Sequence, residues 1–151
     1  MNDFKPFEDK LAGLIAALSP AGRRRMTADI AKKLRQRQQQ RIKSQKAPDG
    51  TPFAPRKRQP VRAKQGRIKR EMFAKLRTSR YMKASGGDSA AVVEFTGKVQ
   101  SIARIHQYGL KDRPGKNSKV IKYHKRILME FNDEDRRNVE RVIISHLTKE
   151  N

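Results

Sequence analysis

Ala47-Pro48-Asp49-Gly50-Thr51-Pro52-Phe53-Ala54-Pro55 is the stretch at which this chain changes character. Asp49-Gly50 is a turn pair, and Pro48, Pro52 and Pro55, followed by Pro60, forbid a continuous helix. Phe53 is the one aromatic residue in the stretch, which predicts that it pins the loop onto a core. Whatever lies before Ala47 must therefore close as one helical unit, and whatever lies after must start again.

Upstream, Phe7, Leu11, Leu14, Ile15 and Leu18 recur at three- and four-residue spacing, the stripe of an amphipathic helix. Ser19-Pro20 stops it and can open the next, with Ser19 as cap and Pro20 at the first helical position. Gly22 weakens an immediate restart, so the second helix is expected to begin nearer Thr27. Ile30, Leu34 and Ile42 then share a face, with Gln38 in the missing four-residue step. Two helices joined by a short turn predict a helical hairpin over 1–46.

Downstream, 47–66 reads as a Pro-rich basic arm: from Arg56 to Gly66 there is no apolar periodicity. Ile68, Met72, Phe73 and Leu76 predict a short third helix whose tail reaches Tyr81 and Met82. After the loop Ser85–Ser89, Ala90–Phe95 is β-branched and aromatic enough for a strand, ended by Thr96-Gly97. Val99, Ile102, Ala103 and His106 predict a short helix closed by Gly109. Lys111–Ser118 reads as a polar loop and Val120–Tyr123 as a second strand. Asn132 or Asp133 caps the last helix, whose first-turn acids match the helix dipole. Its buried stripe is Val139, Val142, Ile143 and Leu147. The expected fold class is α+β: an N-terminal helical hairpin, a basic extended arm, a short third helix, a small antiparallel sheet and a C-terminal helix, in one domain over 1–151 with an α+β remainder at 67–151.

The 151 residues suffice for one domain with a core of its own, although only 35% are hydrophobic and 34% are charged. There is no cysteine, which excludes a disulfide framework and thiolate chemistry. No apolar run approaches the roughly 20 residues of a bilayer span, and Met1-Asn2-Asp3-Phe4 opens no signal peptide; the expectation is a protein of the cytoplasm or one assembled there, with no membrane contact. The net charge is +22, and it is uneven. Residues 1–20 carry −1, residues 21–83 carry 22 basic and three acidic side chains, and residues 84–151 carry 13 and nine. Such a block repels itself unless a polyanion or an acidic protein surface lies against it.

No catalytic constellation emerges. His106, His124 and His146 have no partner at metal-ligand spacing, and Asp133-Glu134-Asp135 is explained by capping. Gly86-Gly87 lacks the strand–loop–helix context of a phosphate cradle. The expectation is a protein that is not an enzyme and needs no cofactor or metal. The glutamines of the second helix read as neutral helix formers spacing out its positive charge. The arm lacks interleaved aromatics, so stacking on single strands is not expected and sequence-independent attraction to phosphate remains.

Pro48–Arg56, following two helices, resembles the signature loop of the phage virion morphogenesis family, the tail-completion proteins of contractile-tailed temperate phages. Met72-Phe73-Ala74-Lys75-Leu76-Arg77, Val93-Glu94-Phe95-Thr96-Gly97 and Ile102–Gly109 are similar to later segments in the same order. The tetrad His106-Gln107-Tyr108-Gly109 is the most specific of them. The resemblance implies a structural virion protein at the head-proximal end of the tail, assembled in the host cytoplasm and carrying no catalytic residues. A hexameric neck ring would match a six-fold tail. Its neighbours would be the tail tube or a terminator, and head-completion proteins. The competing reading is a sequence-independent nucleic-acid-binding accessory protein. In a ring passing the genome, Arg56, Lys57, Arg58, Arg62, Lys64, Arg67, Lys69 and Arg70 are the candidates for facing double-stranded DNA; the alternative is that they grip acidic patches on neighbouring proteins. Within the tetrad, Gly109 is read as a positive-φ position, Tyr108 as an anchor in the core, and His106 and Gln107 as hydrogen-bonding to nearby backbone. A subunit contact by these residues and Phe53 is the alternative.

Overall fold

Ser19-Pro20 does set the first helix boundary, and it restarts the helix at once. In the computed structural model, which describes residues 5–56, 71–113, 116–117 and 119–149, α1 is Lys5–Ala16 and α2 is Pro20–Lys43. The Gly22 amide donates to Ser19 Oγ at 3.0 Å, so the cap acts on the turn that contains the glycine and no delay to Thr27 is needed. Two strands follow, β1 (Met82–Gly86) and β2 (Ala91–Phe95), then α3 (Gly97–Tyr108), β3 (Lys111–Asp112), β4 (Ile121–Lys122) and α4 (Asp133–Lys149). β1 pairs with β2, and β3 pairs antiparallel with β4 in the register Lys111–Lys122 and Asp112–Ile121. The α+β class holds, with two separate two-stranded sheets in place of one among the described residues.

Three expectations need correction. The stretch 72–81 is a run of turns and not a helix, and Phe73 sits within it at φ 65. Met82–Gly86, read as helix tail and loop, is strand β1. The polar loop 111–118 opens with strand β3.

The chain divides into two compact units, each drawn from separate stretches of sequence. The first comprises Met1–Arg35, Ala84–Glu94 and Asp133–Asn151. Its core is apolar: Leu18, Met26, Ile30 and Leu34 are buried, and Ile15, Ala91, Val93, Val139, Val142, Ile143 and Leu147 pack against them. β2 shows the period of two, with Ala91 and Val93 turned inward and Val92 and Glu94 exposed. α4 contributes the stripe read from its sequence. α1 does not bury its own: Phe7 and Leu14 are exposed, and no residue within the helix is buried. Gly86 presses on α2, where an added Cβ would fall 2.2 Å from the Ala28 amide nitrogen. Thr27 Oγ1 donates to the Gly87 carbonyl at 2.7 Å, fixing the turn that follows.

The second unit comprises Gln36–Lys83 and Phe95–Asn132. Ile42, Ala47, Phe53, Leu76, Met82, Phe95, Ala103 and Leu128 are its buried apolar residues. Here α2 ends in a Schellman turn: Gln45 N–H donates to Ile42 O at 2.9 Å and Lys46 N–H to Arg41 O at 3.1 Å. Gln45 holds the left-handed position, at φ 58, where glycine is usual. At the end of α3, Gly109 takes the same conformation at φ 63, and an added Cβ would lie 3.0 Å from the Lys125 amide nitrogen. Both the dihedral and the close approach therefore require glycine.

Candidate interaction site

Apolar residues are a smaller share of the second unit (27 of 86) than of the first (26 of 65), and side chains that bind backbone add to its cohesion. Gln38 occupies the polar step in the stripe of α2 and is only 1% exposed; its Nε2 donates to the Glu130 carbonyl at 3.1 Å. Gln39 Nε2 donates to the Arg77 carbonyl at 2.8 Å. Gln45 Nε2 donates to the carbonyls of Ile42 and Met72, while its Oε1 accepts from the Met72 amide. Gln107 Oε1 accepts from the amides of Leu128 and Met129 at 2.7 and 2.9 Å, and its Nε2 donates to the Met129 carbonyl at 3.1 Å. Asn132 Nδ2 donates to the Pro48 carbonyl at 2.9 Å. The glutamines of α2 are thus more than spacers between charges. Each bond satisfies a backbone group that no regular ladder reaches.

Arg126 is the strongest of these clamps. It is 5% exposed, and Nε donates to the Ala54 carbonyl at 2.7 Å and Nη2 to the Pro55 carbonyl at 3.0 Å. The Ala47–Pro55 loop is therefore held by a guanidinium more than seventy residues away. Nη1 lies 3.4 Å from His106 Nδ1. Arginine only donates, so Nδ1 accepts and the imidazole proton sits on Nε2. Burial, and then the Arg126 charge, lower the His106 pKa to about 4. The ring is neutral at pH 7.

His106 also sits in a row of edge-on rings. Phe53 meets Phe73 at 5.6 Å, Phe73 meets His106 at 4.8 Å, and His106 meets Tyr123 at 5.0 Å. Beside the row is a cavity of about 380 Å³ bordered by Arg56, Met72, Ile121, His124 and Arg126 as well as the rings of Phe73, His106 and Tyr123. Phe53 pins the loop as the sequence reading expects. Gln107 binds backbone through its side chain, whereas the His106 ring meets the Arg126 side chain and only its main-chain carbonyl accepts from the Arg126 amide, at 2.8 Å.

Tyr108 departs from expectation. It is 61% exposed and anchors nothing in the core, because its position on α3 points it away from the side that Ala103 buries. It forms one wall of a second groove, also of about 380 Å³, with Phe95, Ala103 and Met129 beneath and Gln100 and Arg104 beside it. Of the basic candidates, Arg56 borders the ring-lined cavity. Lys57, Arg58, Arg62, Lys64, Arg67, Lys69 and Arg70 lie outside the described residues.

Charge follows the two units. The first has 12 Lys and Arg against 11 acids, net +1, whereas the second has 25 against four, net +21. Ion pairs balance the first unit locally: Arg136 with Glu8, Arg24 with Asp88 at 2.7 Å, and His146 with Asp29 at 2.6 Å. In the second, Arg77 lies 3.9 Å from Glu71. Almost all the excess positive charge therefore belongs to the unit that carries the clamps, the cavity and the groove.

Sequence reasoning missed Arg126 and Gln45, which lie in no motif, and the ring contacts of Phe73, which it placed on a helix. A signal was present for Gln38 and Gln107 alone: a polar residue in an apolar stripe, and a place in the tetrad.

Comparison with known proteins agrees with the order of these features. The model of the phage virion morphogenesis family matches residues 2–148. The tail completion protein S of Escherichia phage P2 is 52% identical over 150 residues, which cover 99% of this chain and 100% of that protein. No solved structure matches the chain.

Proposed function

From the premise that the chain belongs to the phage virion morphogenesis family, we propose that it is a structural virion protein that completes the head-proximal end of the tail and allows the tail to join the head. The observation that carries this reading is the near full-length identity with a tail completion protein. On this reading the chain works in the neck as a ring, six copies matching a six-fold tail, beside the tail tube or terminator and head-completion proteins. It acts by contact and not by catalysis. The site geometry supports that: the polar side chains that gather most closely, Arg126, His106, Gln45 and Gln107, are engaged with backbone or with one another.

The charge of the second unit favours one further feature of this reading. A basic surface in the ring would stabilise duplex DNA held in its lumen, through point-charge contacts that let it slide. The same charge is what supports the alternative, a sequence-independent nucleic-acid-binding accessory protein.

Disruption of the gene in the phage, followed by electron microscopy of the lysate, tests the main reading. Filled heads and unattached tails are expected, with the protein present in wild-type virions. Normally joined particles, or virions lacking the protein, would overturn it; in the second case salt-sensitive duplex binding by the purified chain would leave the accessory role standing.

A further inference from the structure

Gln100, Arg104 and Tyr108 stand four residues apart on α3, so one falls on each successive turn of the same stripe. All three line the groove over Phe95, Ala103 and Met129. Each is exposed, and among the described residues none makes a hydrogen bond or ion pair. Gln107, on the same helix, is fully engaged by the 128–129 backbone. α3 thus has one side that holds the unit together and one row of unused donors above an apolar floor.

We propose that this groove docks a protein surface that is acidic and presents one apolar side chain, the carboxylate pairing with Arg104 and the apolar group lying against Tyr108 over Ala103 and Met129. The inference deepens the proposed function by giving the chemistry of a neighbour, and it rests on that reading only in supposing that the neighbour is a protein.

Three observations select this occupant. Arg104 presents a planar fork of donors, which matches a carboxylate in bidentate geometry. The surroundings keep that preference: from Phe95 to Asn132 there are nine Lys and Arg against two acids, and Lys98, Lys111, Lys122 and Lys125 are exposed. The floor and Tyr108 then ask for an apolar group. A duplex backbone would satisfy Arg104 but would gain nothing from the apolar floor, since its affinity comes from phosphate charge. A second copy fits poorly too, because its second unit is as positive as this one, while the acids of its first unit are nearly matched by bases and Glu8, Asp29 and Asp88 are already in ion pairs.

The groove is also preorganised, which limits the entropy lost on binding. Gln107 ties α3 to the irregular 128–129 segment at three points, and Gly109 ends the helix against Lys125. An exposed tyrosine beside an arginine on such a rigid edge has the composition of an interface hot spot.

The test is nuclear magnetic resonance of the full-length ¹⁵N-labelled chain with four probes: a blocked peptide with one leucine between aspartates, the same peptide with lysines for aspartates, an aspartate peptide without leucine, and a short DNA duplex. The acidic peptide is expected to shift the amides of residues 100–108 and 129. The lysine peptide should not, and any shifts caused by the duplex should fall elsewhere. Tyr108→Ala and Arg104→Glu should each weaken the acidic peptide about tenfold, as loss of a hot-spot contact does, while Tyr108→Phe stays within about twofold. An unchanged spectrum away from the groove confirms that the variants fold. If the acidic peptide leaves the groove amides unmoved, if an aspartate peptide without leucine binds as well, or if the duplex alone shifts them, the proposal is wrong. None of these outcomes depends on whether tails join heads.

Discussion

The two units of this chain solve the problem of cohesion with different chemistry. In the first, helices and a strand bury Leu18, Met26, Ile30 and Leu34 together, and the surface charges are closely matched in number. In the second, 25 basic side chains accompany a modest set of buried apolar residues, and the connecting segments are fastened by Gln38, Gln45, Gln107 and Arg126 to backbone carbonyls and amides. The difference teaches why so polar a chain folds. Long polar side chains fix irregular backbone where no ladder exists, and their own heads are neutralised by dipoles, not by counter-charges. The second unit can then keep its positive charge for a partner. The cost is that each clamp is a single point whose loss leaves buried groups unpaired.

Removing one member from each scheme gives the largest effects. Arg126→Leu is expected to destabilise the second unit by about 3–5 kcal/mol, because the Ala54 and Pro55 carbonyls lose their donors at once and each buried unsatisfied group costs about 1–3 kcal/mol. Ile30→Ala should cost about 2–4 kcal/mol through the cavity it leaves. The informative readout is where the loss appears. Hydrogen exchange should show Arg126→Leu opening the amides of Phe53 and Ala54 and of 105–110 while those of 26–34 stay protected, and Ile30→Ala the reverse. Equal loss of protection everywhere would show that the two regions open as one cooperative block.

Acid should separate the regions more gently. The His106 pKa is lowered to about 4 from an ordinary 6.5 by burial and by facing Arg126; Arg56 and His124 border the same cavity. The unfolded chain takes up this proton below about pH 6.5 whereas the folded chain does not until about pH 4. The contribution is therefore complete above the unfolded value and is lost as pH falls towards the folded one. The slope is at most about 1.4 kcal/mol per pH unit, and the total is below about 3 kcal/mol because the ring is only half-buried. Urea unfolding between pH 7 and pH 4 should show this loss in the wild type. His106→Phe, which keeps the ring contacts with Phe73 and Tyr123, should flatten it. An unchanged pH profile in that variant would exclude His106 as the cause.

The first unit was largely legible in the sequence because its rules are periodic. The stripes of α2 and α4 and the Ser19 cap can be read from spacing alone, and β2 from its β-branched and aromatic composition. β1 was not, since Met82-Lys83-Ala84-Ser85-Gly86 has no β-branched residue and its apolar–polar alternation covers only four residues before the glycine. Its glycine is required instead by the approach to Thr27 and Ala28, which no local pattern encodes. In the second unit the helix α3 and its Gly109 cap were legible, for the same local reasons. The turns at 72–81 were not. Met72, Phe73 and Leu76 carry helical spacing, but Gln45 captures both the amide and the carbonyl of Met72, and Phe73 enters the left-handed region to reach Phe53 and His106. Tyr108 was misplaced because an aromatic beside a cap glycine suggests an anchor, and only the direction of α3 shows that it faces outward.

Gln45 offers the smallest and sharpest of these tests, because two known effects oppose each other there. It occupies the left-handed position of a Schellman turn, where a side chain costs about 1–2 kcal/mol relative to glycine. On that ground Gln45→Gly should stabilise the protein. The same side chain makes three hydrogen bonds, to the Ile42 and Met72 carbonyls and from the Met72 amide, each worth about 0.5–1.5 kcal/mol net. If such clamps are what hold the second unit, their sum exceeds the strain and Gln45→Gly is destabilising by about 1–2 kcal/mol. Gln45→Ala loses the bonds and keeps the strain, so it should be worse than glycine by about 1 kcal/mol. Chemical denaturation of the three proteins gives the order directly: glutamine, then glycine, then alanine. If glycine ranks first, the left-handed strain outweighs the clamp, and the contrast between a region held by apolar burial and one held by side chain to backbone bonds fails at this position.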